Sequence, residues 1–571
     1  MWCKNCQIEI NESICPICGE KTSEDTPVEV YWCDKCKIPI IKEVSQIDKN
    51  ICPHCGNKIS YLAADIRPVF PEERRLLEIL LSKKPNELIK SSVWALNSRY
   101  FIDGETVSLS RSMYKNANFE EINGKLKKFK EKNDYKYFDI YIERFIEVNH
   151  LRLNSLKDEA SRFITNTAEK FPQENVVISF SGGKDSTVTA DLVIKALSNP
   201  SLVHIFGDTT LEFPTTTEYA LRYRNDHPEA IFQVARNNEQ VFEEVCADIG
   251  PPARMMRWCC SMFKTGPITR VINNLYRNQR ILTFYGIRKS ESVSRSKYNR
   301  IEDDAESVKI KQQTVASPIF FWKDIDIWLY ILSENIDFNE AYRLGYDRVG
   351  CWCCPNNNQR AQFLSQIYMP EKTKKWRDFL VHFAKEIGKP DPEVYIDTGK
   401  WKARQGGNGL LAAGDVKLKF ANCTSEENSK IYRLVKPFDD DLVNLFTPFG
   451  LLAPELGQKL LKEVIILDYK TKIPILSIQP FQHDGYAYAI KVRTMNVADS
   501  DSIQRMAGYQ IRKFNACRKC LKCESLCQAG AISMTSGHYQ IDPKKCVRCK
   551  VCMTAKYLDG GCMMDKFLRT K

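Results

Sequence analysis

The sequence predicts a multidomain α/β protein: a central parallel sheet with a small cysteine-stapled module at either end. Three observations carry this. From residue 172 the chain alternates strand, loop and helix, the sign of a parallel sheet. Of the 23 cysteines, eight fall in residues 3–55 and eight in residues 517–562, segments too short to build a sufficient core unaided. The 571 residues, 43% apolar and 27% charged, have the composition of about three to five globular domains. No uninterrupted apolar run of about 18 residues occurs, which predicts no membrane span. The N-terminal MWCKNCQIEI shows no secretory pattern, so the expected location is cytoplasmic. In that reducing compartment the cysteines read as metal ligands, and with 7 His the sites are thiolate sites suited to zinc or iron–sulfur groups. The excess of 83 Lys+Arg over 71 Asp+Glu favours an anionic partner: nucleotide, phosphate, nucleic acid or an acidic redox protein.

Five segments are expected, at 1–60, 61–170, 171–390, 391–505 and 506–571. The first holds two copies of one pattern. Cys3-x2-Cys6 precedes Cys15-Pro-Ile-Cys18-Gly, and Cys33-x2-Cys36 precedes Cys52-Pro-His-Cys55-Gly. Such knuckles aim two thiolates at one ion, and two knuckles close a tetrahedral S4 site. They read as two zinc ribbons; a mononuclear iron site of the rubredoxin kind has the same ligands. His54 lies inside a knuckle and reads as a spacer.

Residues 61–170 predict a Pro-initiated helix in RPVFPEERRLLEILL, an Asp-Gly hairpin in YFIDGETVSL, and a solvated Lys-rich helix face in KLKKFKEKNDYKYFDIYIERF. Nucleic acid is the alternative partner for that basic run. Residues 400–500 mix Gly-rich turns (RQGGNG) with strand-like EVIILDY and YAYAIKV and carry no legible chemistry.

Val176–Phe180 is a buried-strand run that leads into Ser181-Gly182-Gly183-Lys184-Asp185-Ser186 and then into a helical stretch. The glycines let backbone amides approach an anion, and the following helix directs its positive end there. Ser181 and Ser186 can donate to phosphate, Lys184 adds a point charge, and Asp185 can hold Mg2+. The spacing is not that of a Walker loop. The next strand ends in Asp208, which falls where ligands bind in such sheets and reads as a ribose or Mg2+ ligand; His204, in mid-strand, reads as packed.

The Ser181–Ser186 stretch resembles the PP-loop of ATP pyrophosphatases, which implies an adenine nucleotide alpha hydrolase-like fold. After it come Arg257-Trp258-Cys259-Cys260, Gly286-Ile287-Arg288-Lys289-Ser290-Glu291-Ser292 with Arg295, SPIFFWKDIDIWLYI, and Gly350-Cys351-Trp352-Cys353-Cys354-Pro355. This succession, over about residues 172–360, resembles the PAPS reductase family, which includes sulfonucleotide reductases and DNA phosphorothioation sulfurtransferases. The resemblance implies a [4Fe–4S] cluster on Cys259, Cys260, Cys351 and Cys354, with Cys353 beside it. It also implies that Arg288 binds the anionic end of the nucleotide, with Glu291 and Arg295 completing that loop. Residues 517–562 resemble a bacterial two-[4Fe–4S] ferredoxin. By its rule Cys517, Cys520, Cys523 and Cys562 hold one cluster, and Cys546, Cys549, Cys552 and Cys527 the other. Gln528 stands where that pattern usually has Pro.

Three functions follow as expectations. The favoured one is ATP-dependent adenylation of a substrate, with pyrophosphate release, sulfur transfer and electrons supplied by the C-terminal module. The intact SGGKDS loop and the lack of a catalytic Cys beside Gly and His at the C-terminus weigh toward it. The alternatives are reduction of APS or PAPS to sulfite and a non-enzymatic nucleotide-sensing or nucleic-acid-binding protein. The implied cofactors are three [4Fe–4S] clusters, two zinc or mononuclear iron ions and Mg-ATP or another adenine nucleotide. An electron donor protein is the implied partner.

Overall fold

The computed structural model describes residues 2–3, 6, 8–9, 14–19, 27–43, 50–128, 134–276, 279–303, 313–406, 416–534, 537–555, 558 and 560–568, with backbone alone at 2–3, 8–9 and 111. At its centre is a six-stranded sheet in the spatial order Ile231–Arg236, Val203–Asp208, Val176–Phe180, Ile281–Tyr285, Gln313–Ala316, Ile301–Glu302. All neighbours pair in parallel except the last, short strand. Alternation along Val176–Phe180 serves two cores. Ile178 and Phe180 join Val188, Leu192 and Tyr219 on one face; Val177 joins Ile205, Ile272 and Ile281 on the other.

In the N-terminal part, Ile38–Glu43, Val28–Cys33 and Ser60–Ala63 form an antiparallel sheet. A second antiparallel sheet, Arg67–Pro68, Val93–Leu96, Arg99–Ile102 and Glu105–Ser108, includes the Asp103-Gly104 hairpin. The helix Pro71–Leu80 begins on its proline, with Glu72 and Glu73 in the first turn. The Lys-rich helix Phe119–Lys128 buries only Ile122, as a solvated face does; residues 129–133 of the same run lie outside the described residues.

The C-terminal half holds a six-stranded antiparallel sheet, Phe420–Asn422, Ser429–Leu434, Tyr486–Thr494, Pro474–His483, Val464–Leu467, Leu451–Ala453. Of RQGGNG, residues 407–409 lie outside the described residues. Two expected boundaries shift. The helix Ser500–Ala516 runs through position 505 and packs on the sheet, where the Gln504 side chain donates to the Val492 carbonyl at 3.0 Å. Ile396 and Trp401 share a cluster with Leu380 and Ala384, so the central unit continues past 390. Nor do cysteine motifs mark breaks in the core. One cluster runs from Trp32 and Ile38 through Phe145 to Ile178 and Trp328. Another joins Trp258 and Met262 to Cys520, Cys523 and Cys562. Among the described residues no helix is long and apolar enough to cross a membrane.

Candidate functional site

The phosphate loop forms where the central strand ends. Gly182 takes φ +69, with Thr216 packed where a Cβ would stand, so only glycine fits. Gly286 lies on the neighbouring strand's exit, where a Cβ would meet the Asp185 carbonyl and Ser186 nitrogen at 2.5 and 2.6 Å. The two loops therefore touch, and Arg288 comes alongside Asp185. The Ser181 N–H donates to Ser186 Oγ at 3.1 Å, the two hydroxyls lie 3.0 Å apart, and Ser186 Oγ donates to the Gly183 carbonyl.

Lys184 has partners that the sequence did not show. Its side chain is 2% exposed and its ammonium is engaged beneath the loop. It meets Asp324 at 3.2 Å, Asp185 at 3.6 Å and the Asp347 carbonyl at 3.1 Å, over the Tyr342 ring. In this structure its charge is engaged by the loop's own carboxylates. Arg288 forks between Asp185 and Asp324, the latter at 2.8 Å. Burial works to raise the Asp185 carboxyl, but Arg288 and Lys184 outweigh it and hold it at about 2. Asp65 accepts the N–H groups of Asp324 and Ile325 at 3.0 and 3.1 Å and so caps the helix Asp324–Ser333. Burial and then Asp324 push its carboxyl up to about 6. Sequence reasoning missed Asp65, Asp324, Tyr342 and Asp347; the acidic start of DIDIWLYI was the one legible hint.

At the mouth, Glu291 pairs with Arg295 and lies 3.9 Å from Arg348. Two guanidiniums thus share one carboxylate; burial and Arg348 lower Arg295 to about 10. Asp208 stands at the end of its strand, accepting the Thr210 N–H at 2.8 Å, with Arg236 at 3.5 Å. His204 is buried, its ring between Phe180 and Phe232, and burial lowers it to about 4.

Beside this loop the structure brings Cys259 and Cys260 near Cys351 and Cys354, which act on the Cys259 thiol. The Trp258–Cys260 turn runs into a π-helix, Ser261–Thr265, a departure from regular helix frequent at functional sites and without a sequence signature. Arg257 donates to Cys260 Sγ at 3.2 Å, and Thr209 Oγ1 lies 3.5 Å from Cys351 Sγ. Cys353 and Cys246 are buried core thiols.

Two further sets have single-ion spacing. Cys33, Cys36, Cys52 and Cys55 converge within 4.8 Å, with Cys33–Cys55 at 3.5 Å and Cys36–Cys52 at 3.9 Å. Tetrahedral thiolates about 2.3 Å from one ion stand about 3.8 Å apart. Cys6, Cys15 and Cys18 converge likewise; the Cys3 side chain lies outside the described residues. His54 pairs with Glu147 at 3.3 Å instead.

In the C-terminal module Cys520 feels Cys562, Cys523 and Cys517, and Cys546 feels Cys527 and Cys549. Lys513 tests whether these thiols suit metal. Its side chain is 1% exposed, its ammonium donates to the Cys552 carbonyl at 2.6 Å, and Cys523, Cys552, Cys562 and Cys517 are the charges that raise it. A buried ammonium is costly unless compensated, and the negative charge of a metal-bound thiolate set beside it would compensate it.

Residues 175–357 match the family model of the phosphoadenosine phosphosulfate reductase domain. An uncharacterized protein of Methanocaldococcus jannaschii is 33% identical over 281 residues, 48% of this chain and 56% of the relative. An adenosine 5'-phosphosulfate reductase of Oceanobacillus iheyensis is 28% identical over 182 residues, 32% of this chain and 71% of that enzyme. The chain thus spans little more than half of the Methanocaldococcus relative. The crystal structure of a phosphoadenylyl-sulfate reductase from Candida auris is 17% identical, covers 43% of this chain and 98% of its own, and has a TM-score of 0.28.

Proposed function

We propose that the protein is an adenine-nucleotide-dependent, iron–sulfur enzyme of sulfur chemistry, and that its reaction is reduction of a sulfonucleotide to sulfite. The observation that carries this is the charge layout around the loop. Asp185 is already neutralised by Arg288 and Lys184, whereas Arg295 and Arg348 crowd one carboxylate, Glu291. Such a mouth is eased by an anion that arrives without a metal, as a phosphosulfate does. The match of residues 175–357 and the reductases among the relatives support the same class.

In this reading the amides of Gly182 and Gly183 and the positive end of the helix Lys184–Leu197 hold the nucleotide phosphate, and Asp208 contacts the ribose. Arg295 and Arg348 bind the sulfate end. Cys259, Cys260, Cys351 and Cys354 would hold one [4Fe–4S] cluster, the C-terminal sets two more, and the N-terminal sets two zinc ions. Iron–sulfur clusters, when bound, supply single electrons. Two electrons take sulfur from the sulfate to the sulfite level; the bond between sulfur and the bridging oxygen breaks, and that oxygen leaves with the nucleotide.

A second reading, ATP-dependent activation followed by sulfur transfer, is favoured by the complete Ser181–Ser186 loop, and Cys423 is the thiol that would serve the first. That thiol, outside every metal set, adjoins a strand of the separate antiparallel sheet. The two are told apart by anaerobic protein given reductant and either APS, PAPS or ATP. Sulfite with AMP or its 3'-phosphate establishes reduction. Pyrophosphate from ATP only with an acceptor present establishes activation and overturns the preferred reading.

A further inference from the structure

The two thiolate sets of the C-terminal module face opposite ways. Residues beside Cys517, Cys520, Cys523 and Cys562 are spent on contact with the central unit. Leu521 lies against Gly266, where any Cβ would stand 2.4 Å from it. Ser261 Oγ, next to Cys260, donates to Met563 Sδ, next to Cys562, at 3.7 Å. Arg270 forks onto Glu524 at 2.8 and 3.3 Å, and Arg518 pairs with Asp248. At the opposite pole Arg548 stacks on the Tyr469 ring at 4.0 Å, but its neighbours are open. Cys549 is exposed, Val547 is 70% exposed, and Lys544 and Lys545 lie exposed before them. Residues 542–550 carry Lys544, Lys545, Arg548 and Lys550 against one acidic residue, Asp542, which lies 3.9 Å from Lys545.

Resting on the iron–sulfur reading above, we propose that an acidic one-electron carrier protein docks on the rim of Lys544, Lys545, Val547 and Lys550 and delivers electrons through Cys549 to the Cys527, Cys546, Cys549, Cys552 set. From there the cluster that Cys517, Cys520, Cys523 and Cys562 would hold would receive each electron, and the Leu521–Gly266 and Met563–Ser261 contacts lie between it and the cluster that Cys259 and Cys260 would help to hold. The carrier would lose one electron and be oxidised; the iron–sulfur cluster that these cysteines would hold would gain it and be reduced, and no bond would change. The polarity follows from packing: among the described residues the Cys517 set is packed against the consumer, whereas Cys549 is exposed to a carrier. An apolar residue within a collar of like charge suits a transient redox contact, which is small and steered by charge.

The test is stopped-flow reduction of the full anaerobic protein, read as bleaching of its visible iron–sulfur absorbance. The donors are photoreduced flavodoxin, an acidic flavoprotein, and photoreduced 5-deazariboflavin, a small uncharged donor. The double variant Lys544→Glu, Lys545→Glu should be reduced by flavodoxin about tenfold or more slowly at low ionic strength, with the gap closing in salt. Its rate with deazariboflavin should match the parent's, which shows that fold and metal content survive. Equal flavodoxin rates for parent and variant overturn the docking face. So does a variant that loses retention of single-stranded RNA while keeping its flavodoxin rate, since the rim would then be a nucleic-acid surface. A parent without the absorbance overturns the iron–sulfur reading itself, and this inference with it.

Discussion

Replacing Arg288 by Met should destabilise the protein in a manner that depends on pH. An Asp185 carboxyl held at about 2 instead of its ordinary 3.8 corresponds to roughly 2.5 kcal/mol of net stabilisation of the ionised form, after burial has been overcome. Arg288 is the larger of the two favourable partners and also serves Asp324. Without it, Lys184 alone faces Asp185, Asp324 and the nearby Asp65, and breaking such a buried pair costs about 3–5 kcal/mol. In the parent, the Asp185 contribution is fully present above the ordinary carboxyl value and is lost only as pH falls through about 2. It is therefore flat between pH 5 and 8. Asp65 has the opposite sign: its folded value of about 6 means that stability falls as pH rises from the ordinary range to about 6, then levels. In Arg288→Met both carboxyls move up, so the decline extends above pH 6. Anaerobic thermal unfolding followed by circular dichroism should show the variant already less stable at pH 5, by roughly the 2.5 kcal/mol of the Asp185 contribution, with the gap widening toward pH 8. Arg288→Lys should fall between them, because one ammonium cannot fork onto two carboxylates. An equal gap at both pH values would refute the charge argument and leave only lost packing.

Glu73→Ala should destabilise by about 3–5 kcal/mol, because it strands Arg67 and Arg360, 4% and 6% exposed, in a buried network; an unchanged unfolding midpoint contradicts this. Elemental analysis of anaerobic protein should find about twelve irons and two zincs per chain, and zinc alone would remove the redox reading. Lys513→Met should make the C-terminal sets harder to reduce, seen as lower midpoints in a spectroelectrochemical titration; unchanged midpoints mean that its charge does not act on them. Sulfite formation that disappears in Cys423→Ser would identify that thiol as the nucleophile, whereas retained sulfite formation excludes it.

What could be read in the sequence was whatever is local. The strand Val176–Phe180, the loop after it and the knuckles each occupy a few consecutive residues, and their chemistry follows from spacing. The partners of that loop were not legible, because the chain brings them from far away: Asp347 is 163 residues from Lys184, and Asp65 is 259 from Asp324. Spacing presents Lys184 as a free charge; only the fold shows carboxylates waiting beneath it. The same distance effect hid the work of residues 61–170. Their sheet and first helix supply Glu73, which takes Arg67 at 2.6 Å and Arg360 at 2.6 Å, and both arginines reach Asp347, at 2.7 and 2.9 Å. The Asp347 carbonyl in turn receives Lys184. Asp65, on the same segment, fixes the helix whose Asp324 holds Arg288. The segment without legible chemistry is thus the back wall of the phosphate loop: it sets the positions of both cations that neutralise Asp185. On the proposed reading, a change there would act on nucleotide binding through Lys184 and Arg288 without touching the nucleotide.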